Sequence, residues 1–120
     1  MKYFFDLEGR LIGMRTTNSN ELRVFYEKDF EISKIVCPGG QEILFSYRGG
    51  KISKIEDTSA ERVLKYFYEE DNLVKVYYPS FSEGLYIYEN DLLVELEDQN
   101  NNRYVRNIYD DKKRVVKQYD

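Results

Sequence analysis

Apolar and polar residues alternate along this chain in short bursts that recur at a near-constant interval. Phe5, Tyr26, Tyr47, Tyr68, Tyr88 and Tyr109 stand 21, 21, 21, 20 and 21 residues apart. Two residues before each anchor lie Tyr3, Val24, Phe45, Tyr66, Tyr86 and Asn107. Four before lie Leu22, Ile43, Leu64, Gly84 and Val105. Positions i, i+2 and i+4 share one face of a strand, so this spacing predicts a β-strand ending at each anchor. Five or six residues past the anchor a second apolar run opens with Leu11, Ile32, Ile52, Leu73, Leu93 and Val115. Three further on come Met14, Ile35, Ile55, Val76 and Leu96, with Gln118 breaking the series. Residues three apart on a strand point to opposite sides, so Ile52 and Ile55 share a face only if a bulge intervenes.

Polar segments separate the two runs: Asp6-Leu7-Glu8-Gly9-Arg10, Glu27-Lys28-Asp29, Arg48-Gly49-Gly50-Lys51, Glu69-Glu70-Asp71-Asn72, Glu89-Asn90-Asp91 and Asp110-Asp111-Lys112-Lys113. Gly, Asn and Asp accept the positive φ angles that hairpin turns need. A second polar connection, such as Thr16-Thr17-Asn18-Ser19-Asn20 or Cys37-Pro38-Gly39-Gly40, leads from each unit into the next. The expected fold is all-β: an antiparallel meander of about six β-hairpin repeats of 20–21 residues, forming a curved open sheet and a single array over residues 1–120. Residues 60–70 have some helical propensity, but their register with the other units predicts a strand there. Twelve strands about 4.8 Å apart make a ribbon roughly 55–60 Å wide, which must curl, fold over or pair with something else. The terminal units show neither a capping helix nor a polar face, so flanking repeats or another copy are expected at the sheet edges.

The two faces are not cleanly divided. Beside the aromatic anchor face, Phe4, Phe25, Phe67, Ile87 and Ile108 point the other way, among a column of Lys34, Lys54, Lys75, Glu95 and Lys117. The chain has 12 Tyr and 7 Phe but no Trp and no His, a set suited to pleated surfaces. Its net charge of −4, with no basic tail or stripe, argues against a nucleic-acid partner. No apolar run is long enough to span a bilayer as a helix, and the first residues lack the apolar segment of a signal peptide.

Little in the sequence points to catalysis. Without His, the usual acid–base, triad and metal arrangements lose their commonest member. Cys37 reads as a turn residue rather than a nucleophile, and Glu69-Glu70-Asp71 lacks the alternating ligand spacing of a calcium loop. Gly39-Gly40 and Gly49-Gly50 open no helix and so form no phosphate cradle. No catalytic, cofactor-binding or metal residue is assigned, and no cofactor is expected. The six anchors are assigned a structural role, as a ladder between adjacent hairpins. Tyr77, Tyr78, Phe81 and Tyr104 lie outside the anchor register and are candidate contacts for a protein or a glycan, although lining the second face would also account for them.

The segment Phe4-Phe5-Asp6-Leu7-Glu8-Gly9-Arg10-Leu11 resembles the signature of the YD repeat, also called the RHS repeat: an aromatic residue, Asp, two variable residues, then Gly-Arg-Leu. The 21-residue spacing agrees and covers essentially the whole chain. The Tyr-Asp pair recurs as Tyr109-Asp110, but elsewhere the pair reads Tyr26-Glu27, Tyr47-Arg48, Tyr68-Glu69 and Tyr88-Glu89. The resemblance implies a segment of a spiral of β-hairpins that builds a hollow shell. Such shells enclose toxin domains in bacterial polymorphic toxins and form extracellular barrels in animal adhesion proteins. It also implies a secreted or cell-surface location as part of a larger protein, with catalysis left to attached domains. The self-cleaving aspartyl segment of that family has no counterpart here. A non-enzymatic scaffold is therefore expected, with a glycan- or protein-binding module as the alternative and a glycan-active enzyme ranked last.

Overall fold

A computed structural model describes residues 1–80 and 82–120; Phe81, one of the candidate contact residues, lies outside them. The described residues form twelve strands: β1 (Lys2–Phe5), β2 (Leu11–Arg15), β3 (Glu21–Lys28), β4 (Glu31–Val36), β5 (Glu42–Arg48), β6 (Lys51–Asp57), β7 (Arg62–Glu69), β8 (Asn72–Tyr77), β9 (Glu83–Glu89), β10 (Leu92–Asp98), β11 (Arg103–Tyr109) and β12 (Val115–Tyr119). They follow one another in chain order without a crossover, an all-β antiparallel meander of hairpins as the repeat predicts. Residues 62–69, inside the stretch with helical propensity, are strand β7. The chain divides into two compact units, Met1–Val63 with β1 to β6 and the start of β7, and Leu64–Asp120 with the rest of β7 and β8 to β12.

Every hairpin carries the bulge that the apolar spacing demands, at the same place. In hairpin 1 the register steps from Phe4↔Gly13 to Phe5↔Leu11, leaving Ile12 as the extra residue. Hairpin 3 steps from Ser46↔Lys54 to Tyr47↔Ile52, with Ser53 extra. Hairpins 2, 4, 5 and 6 place Ser33, Val74, Val94 and Val116 in the same way. The extra residue rotates the strand by one side chain, so Ile52 and Ile55 both return to the anchor face.

The core is thin. Val24 is 7% exposed and Val76 is 4% exposed, and they are the buried apolar residues among those described. Val24 faces Ile35 across its hairpin, while Val76 lies between Tyr66 and Gly84. Most other side chains of the anchor face are half-buried, so stability is spread over many partly covered rings and branched side chains rather than a few large ones.

On the opposite face a cation stands over each of three aromatic rings, two of which, Phe25 and Phe67, stay exposed. Lys34 Nζ stands 5.0 Å from the Phe25 ring centre, Lys75 Nζ 4.6 Å from that of Phe67, and Arg15 5.2 Å from that of Phe4. The same cations reach carboxylates, as in Lys34–Glu42 and Lys75–Glu83, both at 3.6 Å. The apolar stems of these side chains shield the rings while their charged ends stay wet. The face that reads as partly apolar in sequence does keep exposed apolar side chains, Phe25, Phe67 and Ile108, with cations beside two of them.

Candidate functional site

The hairpin junctions are where the repeated residues meet. Between hairpins the backbone ladder is short: β2 and β3 pair only from Gly13↔Arg23 to Arg15↔Glu21. β4 with β5 and β8 with β9 repeat that three-pair stretch. The ladder stops just short of the bulge, leaving the carbonyl of the first second-strand residue beyond its end. There the anchor hydroxyl takes over. Tyr26 donates to the Leu11 carbonyl at 2.8 Å, Tyr47 to Ile32 at 2.8 Å, Tyr88 to Leu73 at 2.9 Å and Tyr109 to Leu93 at 2.6 Å. Each bond joins one hairpin to the one before it. A neutral phenol is needed for this, and burial pushes the Tyr47 and Tyr88 phenols up from the ordinary tyrosine value. Phe5, the first anchor, has no hydroxyl and is 60% exposed. Tyr68 pairs with Leu73 in its hairpin and is half-buried.

Two kinds of turn close hairpins 1 and 3 to 6, and they differ in the residue that follows the anchor. In hairpins 3, 4 and 5 the turn is two residues long, with both at positive φ: Gly49 and Gly50 at 59° and 78°, Glu70 and Asp71 at 46° and 73°, Asn90 and Asp91 at 50° and 63°. These match the type I′ turn that suits strand twist. Hairpins 1 and 6 use a longer turn instead. In hairpin 1 the Asp6 amide donates to the Arg10 carbonyl at 3.0 Å and the Gly9 amide to the Asp6 carbonyl at 3.1 Å. Gly9 takes φ +83°, which favours glycine. The Asp6 carboxylate accepts from the amides of Glu8 and Arg10 at 2.9 and 3.0 Å and from Arg10 Nε at 2.8 Å. Asp110 does the same for Lys112 and Arg114.

Aspartate therefore succeeds the anchor where the turn is long enough to leave amides inside it, and Glu or Arg succeeds it where the turn is not. These hydrogen bonds hold Asp6 and Asp110 below the usual carboxylate range. The same backbone pattern recurs between hairpins at Thr16, Cys37 and Asp98. Cys37 is thus the first residue of a turn, its amide donating to the Gln41 carbonyl at 2.8 Å.

The candidate contact residues differ in placement. Tyr78 packs on Gly84, where an added Cβ would come within 3.1 Å of its hydroxyl. It fills the space that Leu22, Ile43 and Val105 occupy in other units, which explains a glycine at that repeat position. Tyr86 lies beside it: burial pushes the Tyr86 phenol up, and a hydrogen bond with Tyr78 adds to the effect. Tyr77 is half-buried on β8, paired with Lys65 and Glu83. Tyr104 is 47% exposed.

Sequence reasoning did not single out Arg10. Its guanidinium lies 4.9 Å from the Tyr26 ring centre and donates to the Asp29 carbonyl at 2.6 Å, tying the first turn to the second. The Gly-Arg-Leu run after the first turn was the available signal. No group of three or more His, Cys, Asp or Glu that could hold a metal occurs among the described residues, and Glu69 and Glu70 line an open groove with Tyr86 and Tyr88. Comparison with protein-family models and with curated proteins gives no match for this chain.

Proposed function

We propose that this chain is a non-enzymatic structural repeat module, a short segment of a YD (RHS)-type scaffold that supports or encloses an attached toxin domain. The observation that carries this reading is the repeated bond from the anchor Tyr hydroxyl to the preceding hairpin's bulge carbonyl. It supports a building role for the periodic residue. The Asp-anchored turns after Phe5 and Tyr109 support the same reading, because they give the Tyr-Asp signature a physical role. On this view the module belongs to a larger secreted or cell-surface protein of bacterial type, and flanking repeats meet its edges.

The test is protection of a neighbour. A protease-sensitive reporter domain fused after the array should be cleaved markedly more slowly than the same reporter fused to an unrelated domain of equal size. Equal cleavage rates would remove the enclosing role. A second reading, a glycan- or protein-binding module, draws support from the exposure of Tyr104. Micromolar binding on a glycan array, lost in Tyr104→Ala, would favour it.

A further inference from the structure

The two compact units differ in which side chains can give up an electron. All of the 12 tyrosines except Tyr3, Tyr26 and Tyr47 lie in Leu64–Asp120. Cys37, Met1 and Met14 all lie in Met1–Val63, and the chain has no Trp and no His. A one-electron oxidation that reaches the second unit therefore ends on tyrosine, because the sulfur side chains that oxidants otherwise attack are missing from it.

Two of its rings meet in a defined way. Tyr78 leaves the connection between β8 and β9 and lies over Gly84. A Cβ built on Gly84 would stand 3.1 Å from the Tyr78 hydroxyl oxygen, 3.3 Å from Cε2 and 3.6 Å from Cζ. The edge of Tyr78 that faces β9 is thus its hydroxyl and one of the carbons flanking it. Tyr86 follows Gly84 by two residues on the same face of β9. A hydrogen bond joins the two phenols. It brings the ring carbons beside one hydroxyl close to those beside the other, in space that a side chain at position 84 would take.

Tyr104 leads from this pair to solvent. It is the extra residue where β10 and β11 pair, next to Val105, and Val105 and Tyr86 flank the same Leu96. Its ring is 47% exposed. Burial pushes the Tyr86 phenol up, and Tyr78, Tyr104 and Tyr88 beside it add to the effect. An oxidant therefore meets a neutral phenol there, which releases its proton with its electron.

We infer that Tyr78 and Tyr86 are an oxidative cross-linking site, a pair that a one-electron oxidant converts to dityrosine. Two equivalents of oxidant, of the kind a peroxidase makes from hydrogen peroxide, take one electron from each phenol, and each phenol gives its proton to water. The two phenoxyl radicals join through a carbon–carbon bond between positions flanking the hydroxyls. The hydrogens displaced there move to the oxygens and restore both phenols. Two tyrosines and one peroxide thus give one dityrosine and two waters. Tyr104 meets the oxidant first and passes the electron vacancy inward to Tyr86. The new bond pins the connection between hairpins 4 and 5 to β9. Holding the reacting carbons together favours this pair over collisions between chains.

The test photo-oxidises the dilute 120-residue chain with a ruthenium bipyridyl complex and persulfate. Dityrosine fluorescence, intact mass and peptide mapping are read together. The expected product is a monomer lighter by two hydrogens, whose peptides on either side of Glu83 stay joined after a glutamate-specific protease cuts there. Tyr78→Phe and Tyr86→Phe, which keep their rings, should each lose this product. Gly84→Ala, which pushes Tyr78 aside, should lower its yield, and Tyr104→Phe should slow its formation. In denaturant the cross-links should scatter over other tyrosines, Tyr3 and Tyr119 among them. Cross-links that join two chains in place of this pair would overturn the proposal, as would folded protein that forms no dityrosine. An equal yield of the Tyr78–Tyr86 product in denaturant would overturn it as well, since the folded geometry would then not be its cause. An unchanged rate in Tyr104→Phe would remove Tyr104 as the point of entry.

Discussion

Hairpins 1 and 6 end in long turns closed by an aspartate, whereas hairpins 4 and 5 end in two-residue turns with both residues at positive φ. The strands on either side hardly differ: an anchor at the end of one strand, a bulge at the start of the next. The difference shows that the residue after the anchor answers to the turn and the anchor answers to the neighbouring hairpin. Hairpin 2 lies between the two cases. Its Lys28↔Glu31 pair encloses a short turn with Asp29 at φ 44°, but Glu27 is an extra residue before it, so the anchor-to-strand spacing stays long without an aspartate clamp. The Tyr-Asp motif is thus two separable devices that coincide only where the turn is long.

That separation is testable, beginning with the anchors. Tyr88→Ala removes a half-buried ring and its bond to Leu73, and should cost about 3 kcal/mol in denaturant unfolding. Phe5→Ala, at an exposed anchor with no hydroxyl, should cost roughly 1 kcal/mol or less. Equal losses at the two sites would mean that the hydroxyl junction is not what distinguishes them. Gly84→Ala probes a junction position filled from outside the register. Pushing a methyl against Tyr78 should cost about 1–2 kcal/mol, and Tyr78→Ala in the same chain should cancel much of that penalty in a double-mutant cycle. Simple additivity would remove the proposed packing of Tyr78 on Gly84. Tyr109→Phe deletes the bond to Leu93 and keeps the ring, for an expected loss of about 1 kcal/mol.

Acid should separate the two turn types without any mutation. Asp57 is held down to about 2, chiefly by its hydrogen bonds from Arg62 and Ser59, and Asp6, Asp98 and Asp110 are also lowered. A carboxyl lowered on folding stabilises the fold above its unfolded value of about 4, and that contribution fades as pH falls through the folded value. Relative to intrinsic exchange, the Arg10 and Arg114 amides should therefore speed up as pH falls below about 4, while the turn amides of hairpins 4 and 5 track only the ordinary intrinsic trend. Parallel acceleration in both classes would sink the aspartate-clamp account. The smallest effect is expected at Glu70, a non-glycine residue at φ 46°. Glu70→Asn should raise stability by about 0.5 kcal/mol, because Asn tolerates that conformation better.

The fold was legible because the repeat supplies six aligned readings of one pattern. Ile52 and Ile55, three apart yet both apolar, already required the bulge that Ser53 makes. The spacing from anchor to second strand did not hold the turn length, because Tyr26 and Ile32 stand as far apart as Phe5 and Leu11 around a two-residue turn, with Glu27 as the extra residue. What could not be read was the acceptor of each hydroxyl. Leu11 lies 15 residues before Tyr26, and only paired strands bring its carbonyl within reach. Tyr78 eluded the register for a related reason: it enters the anchor face from a connection, and Gly84 is the trace it leaves in the pattern. Phe25 and Phe67 were readable as exposed apolar residues of the second face, but not the ammonium groups that lie over their rings.

The hydroxyl junction also has a direction. In all four described bonds the donor comes 15 or 16 residues later in the chain than its acceptor. A finished hairpin thus offers its carbonyl before the residue that will bind it has been synthesised. Contacts of such short sequence separation close quickly. Each junction is therefore a local closure, shorter in sequence than one repeat, and adds little loop entropy to the cost of joining two hairpins.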